Sequence, residues 1–245
     1  MSDHTKQSVE VCFSPALYPN IITRGDFIVV VVDILRATTS MCAALQHGVK
    51  EIFPVGTLEE AIHWKKEGFY VAAERDGAIL DFADFGNSPQ DYTNGKAAGL
   101  TIVYSTTNGT HAISVAKNAP TLAIGAFVNI TALTSWLIQE NRKVVILCAG
   151  WKNMFAIEDA AFAGALTENL IQSESFTTAC DSALAAMEIW NAAKQDPQKY
   201  LDKAMHRNRL RELKLDGMLD YAYSFDQTTV VPVLVDGKIV DINKQ

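Results

Sequence analysis

Runs of apolar residues alternate with amphipathic stretches along the first 155 residues of the chain. The run Phe27–Val32 is rich in β-branched side chains, which is typical of a strand buried on both faces of a parallel sheet. Similar patterns predict strands at residues 51–55, 69–73, 100–104, 122–127 and 144–147, and helices at residues 37–46, 61–67, 110–117 and 131–139. Thr57, with Glu60 three residues on, fits a capping box before the helix at 61–67. Strands separated by helices indicate right-handed crossovers and a largely parallel sheet.

The pattern becomes mostly helical beyond residue 156, with helices predicted at residues 157–172, 177–193 and 203–213. Two short apolar runs follow at 230–235 and 238–242, and the Asp236-Gly237 pair between them suits the type I′ turn of a β-hairpin. We therefore expect an α/β fold with a mixed, largely parallel sheet, flanking helices, a helix-rich C-terminal part and a terminal β-hairpin. A length of 245 residues suits a single domain, with 1–155 and 156–245 as candidate subdomains.

Polar residues follow several of the predicted strands. Asp33 and Arg36 come directly after the first one, and residues 74–89 form a Gly-, Asp- and Asn-rich stretch that is predicted to be a long, functional loop. Later strand ends carry the hydroxyl-rich stretch 105–110, the turn 148–153 and the pair Glu158-Asp159. Because the carboxyl ends of parallel strands meet at one edge of a sheet, these side chains are expected to share one crevice.

Each of these features also has an ordinary structural interpretation. Asp33 resembles a helix cap, and the hydroxyls of 105–110 are typical capping groups. Adjacent carboxylates such as Glu158 and Asp159 point in different directions on a helix, so only one of them can face the crevice. Cys148 is interpreted as a buried structural thiol rather than a nucleophile, and residues 206–209, the densest cationic patch, as a basic helix surface.

Composition narrows the class of protein. The net charge of −7 and the lack of a large basic cluster argue against nucleic-acid binding. The four cysteines form no CxxC pair, and no signal segment is recognised at the N-terminus, so we expect a cytoplasmic protein. No apolar stretch approaches the roughly 20 residues that a membrane-spanning helix needs, so no membrane association is expected.

Five short sequences carry a resemblance to a known family. They are Val32-Asp-Ile-Leu-Arg-Ala-Thr-Thr39, Glu74-Arg-Asp-Gly77, Gly86-Asn-Ser-Pro89, Thr106-Thr-Asn-Gly-Thr110, and Cys148-Ala-Gly150 together with Glu158-Asp159. In this order they resemble the 2-phosphosulfolactate phosphatase (ComB) family, and the similarity spans nearly the whole chain. The resemblance implies the fold of that family and a magnesium-dependent hydrolysis of 2-phosphosulfolactate to 3-sulfolactate and phosphate, a step of coenzyme M biosynthesis.

The matching positions receive roles from their charge and place in the chain. The substrate is a small phosphorylated anion, and Mg²⁺ is a hard cation that prefers carboxylate oxygens. The predicted catalytic residues are Asp33, Arg36, Glu74, Arg75 and Asp159. The predicted metal ligands are Asp33 and Glu74 first, then Glu158 and Asp159. The predicted substrate-binding residues are Thr38, Thr39, Asn87, Ser88, Thr107, Asn108 and Lys152.

Several alternatives stay open at this point. Water attacks phosphorus directly, or Asp33 attacks and forms an aspartyl-phosphate; the absence of a DxD pair at Asp33-Ile34-Leu35 favours direct attack. The substrate is 2-phosphosulfolactate or another small phosphorylated hydroxy acid. A non-catalytic protein that binds an anionic metabolite is the alternative from another class, although clustered carboxylates would repel its ligand. A homodimer is the default expectation.

Overall fold

The Phe27–Val32 run forms a central strand of a mixed sheet in the computed structural model, which describes residues 6–21, 25–213 and 215–244. Within these residues the sheet has 11 strands, in the order β5-β4-β6-β3-β11-β10-β7-β2-β8-β1-β9. The strands are β1 Gln7–Cys12, β2 Phe27–Val32, β3 Glu51–Pro54, β4 Tyr70–Arg75, β5 Ala78–Ile79, β6 Thr101–Ser105, β7 Thr121–Gly125, β8 Lys143–Cys148, β9 Phe176–Thr177, β10 Pro232–Val235 and β11 Lys238–Asp241.

Strand β2 is buried along its whole length, as its sequence predicts. It pairs in parallel with β7 on one side and with β8 on the other, and β1 extends this half of the sheet beyond β8. Helices cover both faces of a parallel sheet, so each strand residue meets apolar side chains whichever way it points. The carboxyl ends of β2, β7 and β8 therefore lie side by side at one edge.

The C-terminal hairpin lies in the middle of the sheet. Strand β10 pairs antiparallel with β7, and β11 pairs antiparallel with β3, so the hairpin joins the two parallel halves. Its turn residues Asp236 and Gly237 have φ values of 50° and 80°, the left-handed conformation that a type I′ turn requires. The predicted mixed α/β fold with a terminal hairpin is confirmed, while the central position of the hairpin is a finding of the structure.

Helices follow most of the strands. They are α1 Ala37–Gln46, α2 Leu58–Lys66, α3 Gly109–Ala116, α4 Ile130–Glu140, α5 Ile157–Gln172, α6 Asp181–Ala193, α7 Pro197–Tyr200, α8 Met205–Glu212 and α9 Leu219–Ala222. Short 3-10 helices lie at Pro15–Asn20, Pro89–Tyr92, Phe127–Asn129, Leu201–Lys203, Asp216–Met218 and Ile242–Lys244. Helix α2 begins at the predicted capping box of Thr57 and Glu60.

Three local predictions were wrong. The sequence interpretation missed β1, whose residues alternate between polar and apolar and do not form a continuous apolar run. The segment from Glu74 onward is not all loop, because β4 continues through Arg75 and turns at Asp76-Gly77 into β5. The helix predicted from residue 177 begins at Asp181, since Phe176–Thr177 pairs with β1 instead.

In the part of the chain that the structure describes, no helix has the length and apolar character needed to span a bilayer.

Helices α5 and α6 pack closely through Gly164, and this contact generates a prediction about stability. A Cβ added at Gly164 would lie 2.0 Å from the Ala186 carbonyl oxygen, which is backbone and cannot step aside. At a helix position with free space around it, Gly→Ala stabilises the protein. At Gly164 the close contact reverses the sign of the change in the free energy of unfolding. We expect Gly164→Ala to lower the free energy of unfolding by about 1–3 kcal/mol in denaturant titrations.

The matched control is Gly217→Ala, where the added Cβ would meet no atom of the described residues within 4 Å. This variant should unfold at the wild-type denaturant concentration or slightly above it. Equal stability of the two variants would show that α5 and α6 are not packed as described.

Candidate active site

Asp33 is the first residue after β2, and its carboxylate lies at the carboxyl edge of the sheet. The backbone around it is fixed by Thr38, whose Oγ1 accepts from the Asp33 N–H at 3.0 Å and donates to the Asp33 carbonyl at 2.9 Å. The Thr39 hydroxyl donates to the Ile34 carbonyl at 2.9 Å. Both predicted substrate-binding threonines therefore use their hydroxyls to hold the turn, which leaves the Asp33 carboxylate to the site.

The start of α3 approaches Asp33 so closely that only glycine fits. A Cβ at Gly109 would lie 2.9 Å from Asp33 Oδ2 and 2.4 Å from Ala37 Cβ. The Thr107-Asn108-Gly109 sequence thus brings the N-terminus of α3 against the carboxylate. This explains in physical terms why a glycine stands at the end of that motif.

Glu74 and Arg75 are neighbours on β4, and their side chains point to opposite faces. Glu74 Oε1 accepts from the Thr107 N–H at 2.9 Å, and Oε2 accepts from the Gly77 N–H at 2.7 Å. The Arg75 guanidinium donates to the Ser105 hydroxyl at 2.9 Å and to backbone carbonyls. Glu74 therefore faces Asp33, whereas Arg75 braces the strand and stays outside the cavity.

Asp159 connects two strand-end turns. Its Oδ1 accepts from the Ile34 N–H and its Oδ2 from the Gly150 N–H, both at 2.9 Å. Burial, together with the nearby Asp33 and Glu158 carboxylates, raises the pKa of Asp159 well above its usual range. Asp159 does not line the cavity that Asp33 and Glu74 share, and its two oxygens bind backbone N–H groups of strand-end turns, so its observed contacts are structural.

Helix α8 covers the site and brings His206 into it. His206 Nδ1 lies 3.2 Å from Oε1 of Glu158, a carboxylate that is only 2% exposed. The same helix carries Arg209, whose guanidinium carbon lies 4.5 Å from the centre of the Trp151 ring. Sequence reasoning missed both residues, and the only signal was the cationic patch at 206–209.

These elements enclose a small cavity. Its polar walls include Asp33, Arg36, Glu74, Asn87, Asn108 and His206, with Asp76 and Arg209 toward the mouth. The free volume is about 10 Å³, close to the space for one water molecule. Two larger clefts, of about 250 Å³ and about 480 Å³, adjoin it.

Two asparagines present their amide groups to this cavity. Asn87 Oδ1 accepts from the Tyr104 hydroxyl at 2.8 Å, and Asn108 Oδ1 accepts from the Lys152 N–H at 3.0 Å. With both carbonyl oxygens engaged, the NH₂ groups are the parts that remain as donors. Arg36 completes the set, because it is buried at the cavity and donates to the Gly77 carbonyl at 2.9 Å.

Other predicted residues lie outside the cavity. Ser88 borders a neighbouring cleft of about 480 Å³, and the Thr107 side chain accepts from the Asp76 N–H at 3.2 Å. Lys152 lies at the rim, where its Nζ is 3.0 Å from Asp76 Oδ1. Cys148 is fully buried on β8 and its pKa is raised well above the ordinary value by burial, which suits a structural thiol.

The carboxylates set the electrostatics of the cavity. Burial raises the pKa of Asp33 to about 6; His206 opposes this shift, and the negative charges of Glu74 and Glu158 add to it. Among the described residues, no three His, Cys, Asp or Glu side chains are arranged as a ready metal cage. Asp33 and Glu74 still fit Mg²⁺, because that ion commonly takes one or two carboxylates and completes its shell with water and phosphate oxygens.

The predicted site residues thus fall into three groups. Asp33, Arg36, Glu74, Asn87 and Asn108 meet at the cavity. Glu158 and Asp159 lie behind it, held by His206 and by backbone N–H groups respectively. The remaining six residues form the turns or the surroundings of the site, and these are Thr38, Thr39, Arg75, Ser88, Thr107 and Lys152, with Arg75 on the opposite face of β4.

Comparison with known proteins gives the family. A model of the 2-phosphosulpholactate phosphatase family matches residues 12–237. Proteins named "Probable 2-phosphosulfolactate phosphatase" are similar to this chain over most of their length. The one from Carboxydothermus hydrogenoformans is 34% identical over 95% of this chain and 96% of its own.

The relative from Parasynechococcus marenigrum is 35% identical over 83% of this chain and 87% of its own. The one from Caldanaerobacter subterraneus subsp. tengcongensis is 32% identical over 85% and 88%, respectively. The family model covers every strand-end motif described above. The chain therefore belongs to the 2-phosphosulfolactate phosphatase family of phosphoric monoester hydrolases.

Proposed function

We propose that this protein is a magnesium-dependent phosphatase that hydrolyses 2-phosphosulfolactate to 3-sulfolactate and phosphate. The observation that carries the proposal is the Asp33 carboxylate, buried beside Glu74 in a cavity that also contains Arg36. Burying a carboxylate without a compensating positive charge raises the free energy of the folded protein. Such unfavourable burial is typical of sites that bind a cation. The family membership supplies the reaction class and the substrate.

In this proposal Asp33 and Glu74 hold Mg²⁺. Each Glu74 oxygen accepts one backbone N–H and keeps a lone pair, so the hydrogen bonds orient this carboxylate without saturating it. When bound, the cation would neutralise charge on the phosphoryl oxygens. Glu158 and Asp159 act indirectly, by orienting His206 and by fixing the turns that carry Asp33 and Gly150.

In this proposal the phosphoryl group is bound by hydrogen-bond donors whose orientation is already fixed by the fold. Arg36 offers its guanidinium, and Asn87 and Asn108 offer NH₂ groups whose partner oxygens are engaged elsewhere. Preorganised donors of this kind stabilise the charge that develops on a phosphoryl group during transfer. We propose that water attacks phosphorus in line and that Asp33 orients it, with attack by Asp33 itself as the alternative route.

Asp33→Asn tests the central role of the carboxylate. We expect wild-type protein to release phosphate from 2-phosphosulfolactate with Mg²⁺ and to stop when the cation is chelated. The variant should lose about 10²–10³-fold or more in kcat, because a preorganised charge at the reacting centre is removed. Asp236→Asn, in the exposed hairpin turn where Asn is equally suitable, is the control and should turn over normally. Near-normal turnover in Asp33→Asn would contradict both routes.

The stereochemical outcome at phosphorus distinguishes the two routes. Direct attack by water is one in-line displacement and inverts the configuration, whereas an aspartyl-phosphate requires two displacements and retains it. We expect inversion when a phosphorothioate analogue of the substrate, made chiral with ¹⁶O and ¹⁸O, is hydrolysed in ¹⁷O-water, and retention would establish the covalent route instead.

The raised pKa of Asp33 predicts how stability depends on pH in the absence of divalent cations. The folded protein keeps the Asp33 proton up to about pH 6, whereas the ordinary value is 3.8. Between these values the native state binds more protons than the unfolded state, so this residue's contribution to stability falls as pH rises. Asp33→Asn should therefore be more stable than wild type above pH 6, by up to about 3 kcal/mol.

The gain should disappear near pH 4, where Asp33 is protonated in the folded protein. Urea titrations of both proteins at pH 4 and pH 7.5 in chelator measure it, with Asp236→Asn as the control that should show no such pH-dependent gain. A constant difference between Asp33→Asn and wild type at the two pH values would argue against a buried, proton-linked carboxyl group.

A further inference from the structure

Arg209 is a residue of α8 that the proposed reaction does not yet use. Its guanidinium carbon lies 4.5 Å from the centre of the Trp151 ring, which is within the range of a cation–π contact. Its side chain is 37% exposed, so the group lies at the mouth of the cavity and not deep inside it. This contact restrains the Arg209 side chain. The side chain therefore loses less conformational entropy when a ligand binds to it.

Arg209 shares its carboxylate partner with a second cation. Among the described residues, Asp76 is paired with both Arg209, at 3.2 Å, and Lys152, at 3.0 Å. Two cations thus share one negative charge at this rim. In addition, Arg209 Nε is buried and has no hydrogen-bond partner among the described residues, so a donor is left unsatisfied beside the cavity.

The shape of the molecule places this donor where the rest of a substrate would lie. The inner cavity has a volume of about 10 Å³, and an outer cleft of about 250 Å³ adjoins it. Trp151, His206 and Arg209 line both spaces. A small molecule with its phosphoryl group near Asp33 and its non-reacting end in this outer cleft would lie against Arg209.

From these observations we infer that Arg209 determines specificity by binding the sulfonate of the substrate, with Lys152 as the second cation. This inference rests on the proposed function. A guanidinium offers parallel N–H donors that suit an oxyanion with several equivalent oxygens, and its unpartnered Nε–H supplies one of them. Asp76 occupies the two cations when no substrate is bound, and the sulfonate takes its place as their counter-ion.

A cycle of two proteins and two substrates tests the inference. 2-Phospholactate differs from 2-phosphosulfolactate only in that a hydrogen replaces the sulfonate. With Arg209→Gln, we expect kcat/KM for 2-phosphosulfolactate to fall about 10–100-fold, mainly through KM, because a charge-assisted contact is lost. The value for 2-phospholactate should change by less than about 3-fold, so that the variant loses the preference of wild type for the sulfonated substrate.

Arg211→Gln is the matched control, because Arg211 lies on the same helix but pairs with Asp202 away from the cavity. It should keep wild-type selectivity. Arg209→Lys retains the charge without the fork of donors and should keep only part of the preference. Circular dichroism and thermal unfolding of each variant establish that the fold is intact, and Arg209→Lys decides the result if Arg209→Gln does not fold.

Three outcomes would overturn the inference. Equal losses of Arg209→Gln on both substrates would show a structural role for Arg209. A wild-type enzyme with the same kcat/KM on both substrates would show that no sulfonate site exists, while leaving the phosphatase itself established. Absence of phosphate release from either substrate by wild-type protein would remove the proposed function and this inference with it.

Discussion

The two hydrogen bonds of Asp159 are the constraint on which the site depends. This carboxylate joins the turn after β2 to the turn after β8 through the Ile34 and Gly150 N–H groups. Without it, the two adjacent strand ends would be connected only by the hydrogen bonds between β2 and β8, and the Thr38 and Thr39 hydroxyls would hold the Asp33 turn without this link to β8. Because Asp159 lies in the first turn of α5, the same contact fixes that helix against the sheet. A buried acid whose charged form is disfavoured by its surroundings is thus retained for positioning.

In the remainder of the site, hydrogen bonds hold carboxylates in positions where they repel one another. Asp33 is pushed toward its protonated form by burial and by neighbouring carboxylates, and His206 offsets only part of this. Backbone N–H groups hold Glu74 from two sides, so it cannot turn away from Asp33 to relieve the repulsion. A cation between such carboxylates would turn the repulsion into affinity. The fold therefore concentrates its electrostatic strain at the place where a charged ligand can relieve it.

The elements predicted correctly from the sequence are those whose formation depends on residues close together in the chain. The apolar run of β2, the capping box of α2 and the Asp236-Gly237 turn each depend on neighbouring residues, and each is found as expected. The position of the hairpin between β7 and β3 depends on pairings between distant parts of the chain, which no local pattern encodes. Arg75 shows the limit at single-residue scale. Motif reasoning grouped it with Glu74, whereas strand alternation sends the two side chains to opposite faces.

Helix α8 was the hardest part of the site to foresee, because its pattern resembles that of an ordinary basic surface helix. The contacts of this helix indicate its role, because Arg209 lies over Trp151 and His206 lies beside Glu158. The sheet edge supplies fixed carboxylates and amides, whereas α8 supplies cations from a separate part of the chain. In a site divided in this way, rigid elements at the sheet edge can hold the reacting group, while the covering helix α8 can contact the rest of the ligand. Because α8 forms one wall of the small inner cavity, the position of this helix determines how much space remains between it and the sheet edge.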